Sequence, residues 1–165
     1  MLMKRKYLRE VFASRVSKIK ELMPDACIAA DVIIGFPGET SEDFDDTYEF
    51  IKSVDVTYLH VFSYSERPGT KALTMEGKVD EYEKRRRSQL LHQLSESKKL
   101  NFYNRQIWKT TNVLWESDNI KGFMHGFTDN YVKVRTPFNA SLINQITSVK
   151  ITAVNDDDTC SVEYT

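Results

Sequence analysis

The chain has 165 residues, 41% of them hydrophobic, and a formal net charge of −1. That is enough apolar material for one domain or two small ones, and the near-neutral charge excludes a protein that grips nucleic acid by overall basicity. No apolar run approaches the roughly eighteen residues of a membrane span, and the N-terminus lacks a signal-peptide core. Cys27 and Cys160 stand far apart without metal-ligand spacing, so the expectation is a cytoplasmic, reducing-compartment protein with no membrane partner.

The charge is uneven. Residues 1–20 carry seven basic side chains against Glu10, whereas residues 39–55 carry seven acidic ones against Lys52. Residues 8–23 read as an amphipathic helix, with Val11, Phe12, Val16, Ile19, Leu22 and Met23 at three- and four-residue steps and Pro24-Asp25 as its end. The basic residues around it, Arg5 among them, read as a solvated face.

Residues 27–34 are mostly apolar and β-branched, the pattern of a strand covered on both faces. Gly35 follows, where a ligand could approach the backbone closely. Pro37 and Gly38 suit the central positions of a type II turn. Thr40 then serves as N-cap, with Asp43 completing a capping box for a helix over 41–53. Phe44, Tyr48 and Ile51 form that helix's apolar stripe, and Glu42 and Asp43 complement its dipole, so neither reads as a catalytic acid. A second strand over 57–63 puts Leu59 and Val61 on one face and Tyr58, His60 and Phe62 on the other. His60, within an aromatic strand, reads as a hydrogen-bonded core residue. Strand, turn, helix and strand make one βαβ unit with a right-handed crossover. Its ligands are expected at the loop after the first strand.

Arg67-Pro68-Gly69-Thr70 is a turn by composition; Arg67 reads first as an exposed loop Arg, though its planar fork could hold a carboxylate or phosphate. A long helix over 79–104 carries the basic run Lys84-Arg85-Arg86-Arg87. Four consecutive residues point all around a helix, so the run reads as solvated, a minority of it free to touch RNA phosphates. From Arg105 the texture turns to β. Five short strands, at 112–116, 121–125, 131–135, 148–152 and 160–164, are separated by turn signals such as Asn155-Asp156-Asp157-Asp158. They suggest a small closed antiparallel barrel of the OB-like kind. In it Val132 and Val134 face inward, leaving Tyr131, Lys133 and Arg135 as an aromatic and basic outer stripe. Such a stripe suits single-stranded or looped RNA. The acidic residues 156–158 are expected to lie away from it. This segment has six basic and seven acidic side chains, so any RNA contact depends on local placement.

The wording Asp31-Val32-Ile33-Ile34-Gly35-Phe36-Pro37-Gly38-Glu39-Thr40 resembles the fifth-strand motif of radical SAM enzymes. Together with Tyr58-Leu59-His60-Val61-Phe62-Ser63-Tyr64-Ser65-Glu66-Arg67-Pro68-Gly69-Thr70, it resembles the methylthiotransferases that modify tRNA. The following barrel is similar to the RNA-binding TRAM domain. The resemblance implies part of a TIM-type radical SAM barrel over 1–104 and a TRAM barrel over 105–165. It also implies adenosine of S-adenosylmethionine along Gly35, Phe36, Pro37, Gly38 and Phe62, with RNA contacts at Arg5, Arg67, Tyr131, Lys133 and Arg135. Residues 126–134 are nearest to the branch acting on threonylcarbamoyl-adenosine beside the anticodon, where the parent would add a methylthio group at C2. The tRNA anticodon stem-loop is then the partner.

Such enzymes hold two four-iron, four-sulfur clusters on clustered cysteines. Two scattered cysteines supply neither set. The expectation is therefore a C-terminal fragment, separated from N-terminal domains of the same polypeptide, with no cofactor bound and no catalytic residue of its own. Two alternatives stay open: the isopentenyl-adenosine branch, or an RNA-binding module alone. An unrelated α/β protein fused to an OB-fold would make both strand motifs coincidence.

Overall fold

The computed structural model describes residues 8–165. The chain divides by internal contacts into two compact units, one running to Lys98 and one from Lys99.

The first unit holds helix α1 (Arg9–Leu22), strand β1 (Ala29–Ile34), helix α2 (Ser41–Ser53), strand β2 (Tyr58–Ser63) and most of helix α3 (Glu81–Asn104). β1 and β2 pair in parallel, with Ala29 opposite Tyr58 and Ile33 opposite Phe62. The parallel βαβ unit thus forms as its pattern requires. Val32, Ile34 and Leu59 point toward the helices, where Val16 of α1, Phe44 and Ile51 of α2, and Leu91 and Leu94 of α3 complete one apolar core.

Among the described residues nothing covers the opposite sheet face, which corrects the expectation of a strand buried on both sides. Asp31, Ile33, His60 and Phe62 are all exposed. The reason is that all three helices pack on one side of these two strands. His60 is accordingly no core residue; it stands at the surface with its ring edge-on to Tyr58, centroids 5.2 Å apart. The amphipathic stripe of α1 is also only partly used: Val16 is buried, while Val11, Ile19 and Leu22 are exposed.

The second unit is a closed five-stranded barrel of β3 (Thr110–Trp115), β4 (Phe123–Thr128), β5 (Lys133–Pro137), β6 (Ile146–Val154) and β7 (Cys160–Tyr164). Around the ring the order is β3-β4-β5-β7-β6. The expected all-antiparallel barrel is corrected here, because β5 and β7 run parallel. An odd number of strands cannot alternate direction all the way around a closed ring, so one neighbouring pair must be parallel. Val113, Trp115, Met124, Val132, Val134 and Val149 fill the interior at zero exposure. The indole Nε1–H of Trp115 donates to Thr147 Oγ1 at 2.7 Å, which meets the polar requirement of an otherwise buried ring. Gly126 lets β3 and β4 approach: a Cβ there would fall 2.5 Å from Val113 Cγ1 and 2.9 Å from Trp115 Cε3.

Within the last turns of α3, Phe102 and Tyr103 are buried, and Tyr103 Oη accepts the Lys133 N–H at 3.1 Å. Those turns therefore cluster with the barrel, so the unit division falls inside α3, ahead of the boundary read at Arg105 from the change in texture.

Candidate functional site

The first candidate site is the turn after β1. Local chemistry builds it. Pro37 and Gly38 occupy the centre of a turn closed by Glu39 N–H donating to Phe36 O at 2.9 Å, and Gly38 has φ +87°, as a type II turn requires. Thr40 and Asp43 then form the expected capping box, each side chain accepting from the other's backbone N–H. That geometry holds the Asp43 carboxyl below the usual carboxylate range, chiefly through the Thr40 backbone hydrogen bond.

The turn's amides are already engaged. Gly35 N–H donates to Glu39 Oε2 at 2.8 Å, and Gly38 N–H donates to the Gly77 carbonyl at 2.8 Å. These donors do not form an open anion cradle, so a phosphate role for this turn has no physical support. Gly35, at φ +75°, is also closed on its Cβ side, where a methyl group would lie 2.6 Å from Lys84 Cγ. The stem of Lys84 fills that space in this structure. Phe36 is half-buried and packs edge-on against Tyr64 at 5.1 Å, while Pro37 is buried.

What the turn does offer is an apolar platform beside it. Phe62 is 52% exposed and Ile33 38%, and the two are register partners at the end of the sheet that runs into Gly35. A flat apolar ring can lie across them. Sequence reasoning singled out Phe62 but missed Ile33, because it took both faces of β1 to be covered.

The basic run on α3 is divided in its roles. Arg87 is buried at 3% exposure and pairs with Glu39 at 2.5 Å and Glu83 at 2.8 Å. Arg86 is half-exposed and grips Glu83 through two hydrogen bonds of 2.7 Å. The reading of residues 84–87 as a solvated stretch is thus corrected for Lys84 and Arg87, and Arg87 is unavailable to a phosphate.

The second candidate site is the outer face of the barrel. Val132 and Val134 are fully buried, so their neighbours turn outward as the alternation requires. Tyr131 is 69% exposed and lies against Phe127 with ring centroids 6.3 Å apart. It precedes β5 at φ +62°, in the turn rather than in the strand. Lys133 sits opposite Phe127, and Arg135 opposite His125. The register continues the row through Leu114 and Ile146, both more than half exposed. Arg135 stacks over Phe123 at 4.9 Å and forms an ion pair with Asp157. The acidic turn therefore touches the stripe, contrary to expectation, because β5 and β7 are neighbours and the β6–β7 turn reaches Arg135. His125, which sequence reasoning passed over, is buried and bonded through Nδ1 to Asp118 at 2.5 Å. Arg67 is exposed in its turn, and Arg5 lies outside the described residues.

Among the described residues, no group of three His, Cys, Asp or Glu side chains is placed to hold a metal ion. Cys160 is fully buried in the barrel with its thiol pushed up to about 12 by burial, and Cys27 is half-buried. Neither belongs to a cluster of soft ligands, so an iron–sulfur group does not fit these residues. No helix among the described residues is long and apolar enough to cross a membrane.

The two units together define an α/β protein with a glycine turn at the carboxyl end of its sheet, carrying a small mixed β-barrel. In sequence the chain is similar, over 81–96% of its length, to curated tRNA methylthiotransferases. It is 39% identical over 153 residues to the threonylcarbamoyladenosine tRNA methylthiotransferase MtaB of Bacillus subtilis, covering 90% of this chain and 34% of that protein. It is 40% identical over 158 residues to the tRNA-2-methylthio-N(6)-dimethylallyladenosine synthase of Aliarcobacter butzleri, covering 92% of this chain and 35% of that protein. The Aquifex aeolicus MtaB is 38% identical, over 81% of this chain and 32% of its own length. The chain thus spans about a third of the length of the curated relatives it matches. Comparison with models of protein families finds no match.

Proposed function

We propose that this chain is the C-terminal part of a radical SAM tRNA methylthiotransferase, in which the glycine turn contacts the cofactor and the barrel contacts tRNA. The observation that carries the reading is the 35–40% identity to such enzymes over about nine-tenths of the chain. The first unit is then a piece of a TIM-type barrel, and the second a TRAM domain. Bound S-adenosylmethionine supplies the methyl group and the radical chemistry of the parent. This chain's part is to seat its adenine ring on Ile33 and Phe62, with the backbone of residues 35–38 alongside. Both four-iron, four-sulfur clusters belong to cysteines elsewhere in the parent, and the chain alone is inactive.

The substrate adenosine is threonylcarbamoylated, beside the anticodon of a cytoplasmic tRNA, on the wording of residues 126–134. Identity alone favours neither branch, since MtaB of B. subtilis and the dimethylallyladenosine synthase of A. butzleri stand at 39% and 40%. On the barrel, Tyr131 and Lys133 are the principal RNA contacts, with Arg135 restrained by Asp157. Arg67 and Arg5 are further RNA contacts.

The experiment is a titration of labelled anticodon stem-loop into the wild-type chain and a Tyr131→Ala/Lys133→Ala variant. Losing a stacking aromatic should cost about 1–3 kcal/mol, and losing a phosphate contact should flatten the salt dependence. Equal affinity of the two proteins at low salt would remove this face from the RNA site. The branch is decided by supplying the intact parent with tRNA carrying either modification and measuring methylthio incorporation by mass spectrometry.

A further inference from the structure

Glu39 lies at the end of the glycine turn, and its carboxylate folds back over it. One oxygen, Oε2, accepts the Gly35 N–H at 2.8 Å. The other, Oε1, is held by Arg87 Nη1 at 2.5 Å, and the same nitrogen is 3.3 Å from the Glu39 carbonyl. Arg87 is itself fixed through Nε to Glu83 Oε1 at 2.8 Å, one helical turn earlier on α3, and its guanidinium lies 5.4 Å above the Phe44 ring. A guanidinium at 3% exposure persists only where carboxylates neutralise it, and Glu39 and Glu83 do so from two separate elements. Lys84, three residues before Arg87, lays its methylene stem against Gly35 from the same helix.

We infer that Arg87 is a positioning residue for the glycine turn, setting the place of the Gly35 backbone through the carboxylate of Glu39. The turn's conformation is therefore dictated from α3, some fifty residues downstream in sequence. Its relevance to cofactor binding rests on the proposed seat; the relay itself does not. Lysine cannot replace Arg87, because one ammonium does not reproduce a fork that reaches Glu39 and Glu83 from different nitrogens. Buried packing alone would make Arg87 a filler whose loss loosens the whole core. Positioning makes its loss local to the turn and reversible by a change at Glu39.

The test is amide hydrogen exchange of the whole ¹⁵N-labelled chain. In Arg87→Met and in Arg87→Lys the Gly35 amide should exchange at least about tenfold faster than in wild type, with Val32 and Leu91 amides unchanged, as for a local opening. Arg86→Met should leave Gly35 unaffected, since Arg86 shares Glu83 but does not bond Glu39. Arg87→Met/Glu39→Gln should bring Gly35 back to within about threefold of wild type, because a neutral amide oxygen still accepts its N–H without a cation behind it. Arg87→Lys keeps the buried charge and decides the matter if Arg87→Met unfolds. Unchanged Gly35 exchange, or equal acceleration at Val32 and Leu91 that Glu39→Gln does not reverse, would overturn the inference. Titrating S-adenosylmethionine into the cluster-loaded parent, wild type against Phe62→Ala, reports on the seat separately. Equal affinity there, beside a positive exchange result, would refute the seat and leave the relay standing.

Discussion

Arg135 and Asp157 form an ion pair on the outer face of the barrel, tying the β6–β7 turn to β5. The pair is cross-braced. Thr159 Oγ1 donates to the other oxygen of Asp157 at 2.6 Å, and this bond, more than Arg135, holds the Asp157 carboxyl below the usual range. The cation best placed beside Lys133 is thus partly neutralised within the protein.

Freeing that cation should strengthen RNA binding. In Asp157→Asn, Arg135 loses its counter-charge while the neighbouring backbone keeps its shape. Affinity for an anticodon stem-loop should rise about twofold to fivefold at low salt, and the slope of log K against log salt should steepen by about 0.7, as for one added phosphate contact to a single strand. Fluorescence anisotropy at several salt concentrations measures both. No change in slope would show that Arg135 stays out of the RNA interface.

Acid stability of the first unit should depend on Glu83. Hydrogen bonds from Arg86, and next from Arg87, bring its carboxyl down from 4.5 to about 2. A pKa depressed in the folded state means that the folded protein resists protonation more than the unfolded chain does. The stabilisation is complete above pH 4.5 and is lost as pH falls from 4.5 toward about 2. Glu83 is 22% exposed, so screening keeps the effect small, about 1 kcal/mol or less. Glu83→Gln should flatten the pH dependence of urea unfolding in that window and leave the slope near neutrality unchanged. A variant as acid-sensitive as wild type there would contradict the assignment.

Gly126→Ala should destabilise the barrel by about 1–3 kcal/mol through overpacking. The added carbon would meet Val113 Cγ1 at 2.5 Å, the Leu114 carbonyl at 2.7 Å and Trp115 Cε3 at 2.9 Å, two of them rigid ring or backbone atoms. Trp115 is fully buried, whereas Trp108 is 64% exposed. Blue-shifted tryptophan emission therefore follows barrel unfolding in urea, and an unshifted midpoint would mean that β3 and β4 can separate at little cost.

The parts of this architecture legible in the sequence were those fixed locally. Pro37-Gly38 dictates its own turn, Thr40 and Asp43 cap their own helix, and Val132 and Val134 alternate inward because strand geometry leaves no choice. The antiparallel expectation for the barrel failed: five strands in a closed ring demand some parallel pair, and that it is β5 and β7 depends on the order of strands around the ring. What stayed hidden depended on partners distant in sequence. Nothing near Arg87 distinguishes it from Arg85 or Arg86; its burial is decided by Glu39, 48 positions away. The same holds for Arg135, whose partner is 22 residues on. Ile33 and Phe62 could not be recognised as a platform, because a β-branched run looks alike whether one face or both are covered.

The cofactor seat is best tested at Phe62, since Gly35 confounds two effects. Gly35→Val would drive a branched side chain into Lys84 at a φ of +75°, so the turn would be strained whether or not a ligand binds. Phe62 is 52% exposed and belongs to no part of the apolar core. Phe62→Ala should therefore shift the urea midpoint by less than about 0.5 kcal/mol in equivalent stability, as expected of a surface substitution. In the intact parent enzyme it should weaken S-adenosylmethionine binding by about 1 kcal/mol, roughly fivefold, through loss of one aromatic contact to the adenine ring. Isothermal titration of the cluster-loaded parent, wild type against Phe62→Ala and Ile33→Ala, reads the effect directly. Full affinity in both variants would move the adenine away from this platform, while a loss confined to Phe62 would place the ring over β2 rather than across the pair.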